Sequence, residues 1–324
     1  MKKKYIALII LSSLCAAYYF NSKKVDPATD FYNTTFLRNS PAVEKILRQE
    51  GFFDVEIMTE DKLKLSATIL DKSPQKHVQA TLISCPGFVP GAKEGMTTLY
   101  AMLKENPYNF LFLDMRGHGK SEGELLTYKG IKHYGEFDYL DIVATVKFMV
   151  QYNIEHNIEQ NIIVHGLCSG AFHTIKAMNY LRQHDTLAYD SVKGIIFDSG
   201  WPSVPSIAET TLTSESCKRC SDCNISCCAP YLSWSLVGIY NYFFKEYHCS
   251  QEPITQAMGE IDQPILFIHG ENDTYIPIHH VHSLVSQAKK PTSWFIKEST
   301  HAAHHLKHQE AYKLQMEQFI KSVL

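Results

Sequence analysis

One cysteine stands at the end of an apolar run, in a position suited to nucleophilic chemistry. The segment 162–172 reads IIVHGLCSGAF, so Gly166 comes two residues before Cys168 and Gly170 comes two residues after it. A side chain held at a sharp bend between a strand and a helix needs neighbours without Cβ atoms, because such atoms would collide across the bend. A thiolate presented in this way can attack a carbonyl carbon and form a thioester. The spacing therefore predicts Cys168 as a nucleophile, with a buried and inert thiol as the alternative.

The next residue, Ser169, is also a candidate nucleophile, but its neighbours at the same two offsets are Leu167 and Ala171. Their side chains would crowd the bend, so the spacing favours Cys168. The segment resembles the nucleophile elbow of the α/β-hydrolase superfamily, with a core similar to that of serine aminopeptidases and lysophospholipases. Most members carry serine at the bend, and cysteine there is similar to the elbow of dienelactone hydrolases. The resemblance implies a hydrolase.

Two later segments continue this resemblance in the chain order nucleophile, acid, base. The segment 265–277 reads ILFIHGENDTYIP and resembles the turn whose carboxylate orients the catalytic histidine, which implies Asp273 in that role. The segment that begins Ser299-Thr300-His301 resembles the closing segment of the superfamily, which implies His301 as the base. A turn-capping role is the alternative for Asp273. Glu271 and Asp262 are nearby carboxylates that are less well placed, and the resemblance offers Asp198, after the sixth predicted strand, as the alternative residue to orient the histidine.

The resemblance also implies an oxyanion hole made by two backbone N–H groups, those of Phe88 and Ser169. Cys85-Pro86-Gly87 stands where the superfamily carries a His-Gly turn, and proline there removes a side chain that normally braces the loop. The segment 114–123, DMRGHGKSEG, matches a loop-positioning signature of the superfamily. This signature supports the fold and says little about the substrate.

Three further histidines follow His301 at helical spacing, namely His304, His305 and His308. They could ligate a metal from one helix face, but we prefer a solvated, histidine-rich helix end.

An imidazolium beside a thiol at a helix N-terminus favours the thiolate, so we expect a thiolate–imidazolium pair at rest. The thioester that follows is a good acyl donor, which leaves transfer to an acceptor other than water as an alternative to hydrolysis.

Short β-branched or aromatic runs alternate with longer helical patterns, which is typical of a mostly parallel sheet covered on both faces. The last helix carries an apolar stripe at helical spacing, which we interpret as part of the core: Tyr312, Met316, Phe319, Ile320 and Val323. The predicted fold class is α/β, an eight-stranded α/β-hydrolase fold over residues 53–324. The predicted strands, of which the first two form a hairpin, are 54–58, 64–71, 78–84, 109–114, 161–165, 193–198, 264–269 and 292–296.

Residues 199–258 interrupt this alternation and are rich in serine, cysteine and aromatic side chains, which predicts an inserted cap. Disulfides within the cap are preferred over an iron–sulfur site, a zinc site or free thiols, so no cofactor and no metal are expected. The apolar stretch 231–244 indicates an acyl-chain pocket, a membrane-facing lid or ordinary packing. Four of the cap cysteines have the spacing of a ferredoxin run: Cys217, Cys220, Cys223 and Cys227.

Three lysines precede an apolar run from Tyr5 to Phe20, which is the charge order that export machinery reads. Residues 1–24 are therefore predicted to be a signal peptide or a membrane anchor, and 25–52 a connecting segment. Either interpretation puts the catalytic domain on the non-cytoplasmic side of a membrane. A buried N-terminal helix is the alternative.

The charge balance excludes one class of partner. Thirty-one Lys and Arg residues against 34 Asp and Glu residues leave a net charge of −3, which offers no basic surface for nucleic acid.

The sequence predicts an ester or thioester hydrolase for small-molecule or lipid-like substrates with an apolar acyl group. The alternatives are an acyltransferase with the same triad and a catalytically silent binding protein with the same fold.

Overall fold

A computed structural model describes residues 40–88, 91–124, 127–128, 131–132, 135–203, 206–207 and 254–324 of the chain. Its main element is an eight-stranded sheet. The strands of this sheet are β1 (Phe53–Met58), β2 (Lys64–Leu70), β3 (Ala80–Cys85), β4 (Tyr108–Leu113), β7 (Ile162–Leu167), β8 (Val192–Asp198), β9 (Ile265–Gly270) and β10 (Pro291–Ile296). The short strands β5 (Thr127–Tyr128) and β6 (Ile131–Lys132) form a separate antiparallel pair, which the sequence did not predict.

The strand order across the large sheet is β1-β2-β4-β3-β7-β8-β9-β10. Strand β2 is antiparallel to both of its neighbours, and the other pairings in this sheet are parallel. The predicted hairpin and the mostly parallel eight-stranded sheet are confirmed, and every strand end lies within two residues of its predicted position. Because parallel strands end at the same edge of a sheet, the loops that follow β3, β7, β8, β9 and β10 meet there.

The helices divide between the two faces of the sheet. Neighbouring residues of one strand face different apolar cores: Ile83 packs into the core on one face and Leu82 into the core on the other. Burial on both faces explains why these strands are continuous apolar runs. Helices α3 to α7 contribute to the first core, and α1, α2 and α9 contribute to the second. The helices are α1 (Pro41–Gln49), α2 (Thr97–Leu103), α3 (Tyr139–Glu155), α4 (Ser169–His184), α5 (Thr186–Ser191), α6 (Thr255–Glu260), α7 (Ile278–Val285), α8 (His304–Lys307) and α9 (Gln309–Val323).

Two helices bear on the sequence predictions. In α9, the stripe residues Tyr312 and Met316 are fully buried, which confirms that the stripe belongs to the core. Helix α1 lies in the segment 25–52, where only a connecting segment was predicted. It has a clear N-terminal signal, because the Ser40 hydroxyl oxygen accepts from the Ala42 backbone N–H at 3.2 Å.

Several predictions concern residues that the structure does not describe. The signal peptide or anchor at 1–24 and the cysteines at Cys217, Cys220, Cys223 and Cys227 lie outside the described residues. So does most of the cap, of which residues 199–203, 206–207 and 254–258 are described. Within the described ranges, the helices are too short or too polar to cross a bilayer. The membrane and cap interpretations stay predictions.

Candidate active site

Cys168 occupies the bend between β7 and α4, and the local geometry explains its glycine neighbours. Its backbone φ is 57°, in the left-handed region that is strained for a residue with a side chain. A Cβ atom at Gly166 would lie 2.5 Å from Ala171 Cα, and one at Gly170 would lie 2.6 Å from the Pro86 carbonyl oxygen. Either contact would push the backbone apart, so both positions require glycine. The Cys168 side chain itself is partly exposed, as attack on a substrate requires.

Three side chains that are far apart in the sequence meet at this bend. Cys168 Sγ lies 3.0 Å from His301 Nε2. His301 Nδ1 donates to Asp273 Oδ2 at 2.7 Å. The other oxygen of Asp273 accepts from the backbone amides of Tyr275 and Ile276 at 2.9 and 2.8 Å. The loops after β7, β9 and β10 thus join a thiol, an imidazole and a carboxylate in one chain of contacts. The catalytic roles assigned to these residues stay predictions.

The contacts of His301 favour its charged form. Burial lowers the pKa of the ring, but the hydrogen bond to Asp273 and the contact with Cys168 outweigh burial and raise the pKa from 6.5 to about 10. A negative charge within hydrogen-bonding distance stabilises a protonated imidazole in this way. At neutral pH the His301 ring is therefore protonated on both nitrogens, and one N–H group faces the Asp273 carboxylate while the other faces the Cys168 sulfur. This is the arrangement that a thiolate–imidazolium pair needs.

Comparisons with known proteins agree with this architecture. No protein-family model matches the sequence. The Bacillus subtilis (strain 168) protein YqkD, described as uncharacterized, is 23% identical over 247 residues, which cover 75% of this chain and 72% of YqkD. The Pyrococcus furiosus esterase Pf2001 has a TM-score of 0.62 at 22% identity, with 84% of this chain and 91% of the esterase covered. A proline iminopeptidase from Mycobacterium smegmatis has a TM-score of 0.58 at 14% identity, with 83% of this chain and 98% of the peptidase covered. The chain has the α/β-hydrolase fold.

Within this α/β-hydrolase fold, Asp273 is the carboxylate that meets His301. Its two oxygens divide the two roles that the sequence left open, since one caps the turn and the other accepts from the imidazole. Asp198 is fully buried, and its oxygens accept from other side chains. Asp262 pairs with a surface lysine at 2.7 Å, and Glu271 is exposed.

The histidines that follow His301 do not form a solvated helix end, so that interpretation is wrong. His304 is 0% exposed and His305 is 9% exposed. The ring nitrogens of His304 lie 2.9 Å from the Ser199 hydroxyl oxygen and 2.7 Å from the Ser299 hydroxyl oxygen. These two hydroxyl partners make burial of the polar ring possible, and the sequence pattern does not show Ser199, which comes from a distant loop. Across the described ranges, no group of three or more His, Cys, Asp or Glu side chains is arranged to hold a metal ion.

The loop after β3 passes close to the nucleophile. A Cβ atom at Gly87 would lie 3.0 Å from Cys168 Cβ and 3.6 Å from its sulfur, so glycine lets the backbone approach there. Phe88, one predicted oxyanion donor, follows directly. Ser169, the other, is the first residue of α4, where backbone N–H groups have no acceptor within the helix. The two predicted donors therefore belong to segments that border the sulfur.

His118 is a candidate functional residue that the sequence analysis missed. Its ring nitrogens lie 2.9 Å from the Arg116 carbonyl oxygen and 2.9 Å from the Phe88 carbonyl oxygen. Pro86 removes one brace from the oxyanion loop, and His118 contacts the loop from another side. A side chain at Gly91 would collide with the His118 ring, so glycine leaves room for this contact. The available signal was the position of this histidine in the loop-positioning signature.

Tyr275 is a second residue that the sequence analysis did not single out. Its ring packs against the His301 ring, with the ring centroids 4.9 Å apart and an angle of 68° between the planes. The side chain has a large aromatic ring, yet the residue is 41% exposed. An exposed aromatic ring beside the imidazole provides an apolar surface that a bound substrate can contact. No periodicity marks a residue of this kind, because it belongs to a loop.

Proposed function

We propose that this protein is a hydrolase of carboxylic esters or thioesters, with Cys168 as nucleophile, His301 as acid and base, and Asp273 as the residue that orients His301. The single observation that carries the proposal is the 3.0 Å contact between Cys168 Sγ and His301 Nε2 at a strained bend. Strain of this kind is retained where function needs it. The hydrolytic chemistry is further supported by structural neighbours that are an esterase and a peptidase.

In the acylation step, the Cys168 thiolate attacks the carbonyl carbon, and a C–S bond forms while the carbonyl oxygen takes the negative charge. The N–H groups of Phe88 and Ser169 are the donors proposed for this oxygen. As the tetrahedral intermediate collapses, the bond to the leaving oxygen or sulfur breaks. His301 then gives its Nε2 proton to that leaving atom. The raised pKa of His301, about 10, keeps this proton available at neutral pH.

In the deacylation step, the neutral His301 removes a proton from a water molecule, which attacks the thioester carbon. The C–S bond breaks, the carboxylic acid leaves, and the thiolate–imidazolium pair is restored. Asp273 keeps Nδ1 protonated through both steps, so Nε2 is the nitrogen that exchanges protons. The exposed ring of Tyr275 next to His301 is consistent with a substrate that has an apolar acyl group.

The test is acylation by a short-chain nitrophenyl ester, followed by peptide mass analysis. We expect an acyl mass on the peptide that contains Cys168, removed by neutral hydroxylamine, which cleaves thioesters much faster than serine esters. We expect turnover to fall by at least about 10³-fold in Cys168→Ala. Turnover should also stop after treatment with a thiol alkylator.

Three results would refute the proposal or narrow it. Full turnover in a folded Cys168→Ala variant would exclude the thiol as the nucleophile. An acyl group that resists hydroxylamine would show that the nucleophile is a hydroxyl and not the Cys168 thiol. Acyl products formed with glycerol or an amine in place of the free acid would show that the same intermediate serves transfer and not hydrolysis.

A further inference from the structure

A second group of polar side chains lies behind His301, and all of it is buried. Its members are Asp198 and Ser199 at the end of β8, Ser299 after β10, His304 in α8 and Tyr312 in α9. Each of them is 0% exposed, so none can touch a substrate. Their polar atoms are nevertheless linked by short contacts. A buried network in which every member is satisfied holds its parts in one arrangement.

The donors and acceptors of this network have only one consistent order. Tyr312 Oη and Ser199 Oγ each lie 2.7 Å from an oxygen of Asp198. A carboxylate only accepts, so both hydroxyls donate to it. With its proton committed, Ser199 Oγ accepts from His304 Nε2 at 2.9 Å. The other nitrogen of His304 then accepts from Ser299 Oγ at 2.7 Å.

The charge states of the groups agree with this order. Burial raises the pKa of Asp198, but His304, His165 and the two hydroxyl donors outweigh burial, and the net effect lowers the pKa. Burial lowers the pKa of His304, and the nearby carboxylates only partly oppose it. Asp198 is therefore ionised and His304 neutral, as the single N–H of His304 requires. Ser199 Oγ makes the short hydrogen bonds to both His304 and Asp198, and His304 Nε2 also lies 3.5 Å from Asp198 Oδ1.

The network contacts the backbone next to each member of the proposed catalytic pair, Cys168 and His301. Ser199 Oγ also accepts from the backbone N–H of Ala302 at 3.2 Å, directly after His301. Ala302 has a φ of 49°, a conformation that costs an alanine energy and needs an anchor. At the same strand end, the Asp198 carbonyl oxygen accepts from the Cys168 N–H at 2.8 Å. Two adjacent residues thus hold the nucleophile and the histidine loop.

We propose that Ser199, held by Asp198 and His304, is a positioning residue that sets the distance between Cys168 and His301 by fixing the backbone of Ala302. This inference rests on the proposed function. It gives Asp198 a role different from the one considered from the sequence, since Asp198 acts through Ser199 and not on His301 directly. Removal of the Ser199 hydroxyl leaves the N–H of Ala302 without its partner, while His304 Nε2 and Asp198 Oδ1 keep only each other, at 3.5 Å.

The test compares Ser199→Ala with Ser191→Ala as a matched control. Ser191 is also buried, but its hydroxyl donates to the Leu187 carbonyl oxygen within α5, away from the site. In Ser199→Ala we expect kcat for the nitrophenyl ester to fall by about 10- to 100-fold, because a displacement of about 1 Å between reacting groups has effects of that order. We expect KM to stay within about two-fold of the wild-type value. Ser191→Ala should keep both values.

The readout that separates positioning from folding is the pH profile of kcat/KM for a thioester substrate. The contact with Cys168 helps to raise the pKa of His301, so a longer sulfur–imidazole distance in Ser199→Ala should move the alkaline limb of the profile to lower pH. A Ser199→Ala protein with a lowered melting temperature but wild-type kcat and an unchanged profile would overturn the proposal. A wild-type alkaline limb near the pKa of a free imidazole, about 6.5, would instead refute the catalytic pair itself, and the positioning role with it.

A second pair of variants keeps the proposal testable if Ser199→Ala does not fold. Glutamine can place an N–H group near the position of His304 Nε2, whereas alanine cannot. We expect His304→Gln to keep kcat within about five-fold of wild type and to keep the pH profile of kcat/KM. His304→Ala should lose kcat and shift the profile as Ser199→Ala does. Equal behaviour of the glutamine and alanine variants would contradict the assigned donor order.

Discussion

The charge of Asp273 should control the pH range over which this protein works. Asp273→Asn keeps an oxygen that can accept from the amides of Tyr275 and Ile276, so the turn has what it needs to form. The same substitution removes a negative charge 2.7 Å from His301 Nδ1. With that oxygen held by the two amides, the new side-chain N–H group would face His301 Nδ1, so the substitution removes both the negative charge and the acceptor for that nitrogen. The position of the pH profile reports the loss of charge, and a fall in kcat reports the loss of the acceptor.

The size of the effect follows from this distance. An opposite charge at this range changes a pKa by about 1–3 units, and each unit corresponds to about 1.4 kcal/mol. His301 has a pKa of about 10 in the intact site. In Asp273→Asn we expect a pKa of about 7–9. At pH 9 the protonated fraction of the ring would then fall by a factor between about two and about 90.

The assay is the pH dependence of kcat/KM for a thioester substrate, corrected with Cys168→Ala for spontaneous hydrolysis. The wild-type alkaline limb should lie near the His301 pKa of about 10. In Asp273→Asn it should move to lower pH by about 1–3 units, because the imidazole loses the proton it must give to the leaving group. Asp262→Asn is the matched control, since Asp262 is exposed and paired with Lys289. A folded Asp273→Asn protein with an unmoved limb would refute the reasoning.

Two further predictions concern stability. Gly170→Ala should lower the free energy of unfolding by about 1–3 kcal/mol in urea titrations, since its Cβ would lie 2.6 Å from the Pro86 carbonyl oxygen. The control Gly259→Ala in α6 should not lower it, because the nearest atom outside that helix would be 3.6 Å away. Equal losses in the two variants would contradict the steric argument. Burial, helped by the charge of Asp141, raises the pKa of Asp138 from 3.8 to about 7. Between these values the folded state holds a proton that the unfolded state has released, so the free energy of unfolding should fall as pH rises from about 4 to about 7. Asp138→Asn should remove that part of the fall, and an unchanged urea midpoint difference between pH 5 and pH 8 would contradict the assignment.

The strands were predictable because their physical cause is local. A strand covered on both faces must be apolar at nearly every position, so runs such as 162–167 stand out from the helical segments around them. The strand pair β5 and β6 has two residues in each strand and offers no such run. Helix α1 lies in the predicted connecting segment and has an ordinary local start signal, because Ser40 caps its N-terminus and Pro41 is its first residue.

The candidate site also has features that the local sequence determines and features that only the fold determines. The sequence by itself indicated the elbow, because Gly166 and Gly170 stand at fixed spacing around Cys168. The close contacts that require these glycines are with Ala171 and, across the fold, with Pro86. Only the tertiary structure decided that Asp273, among several carboxylates, reaches His301. The buried contact between His304 and Ser199, 105 residues apart, could not be read from spacing. Whether a polar side chain is solvated or paired depends on partners that the fold brings from other strands. These partners produce no pattern in the sequence near that side chain.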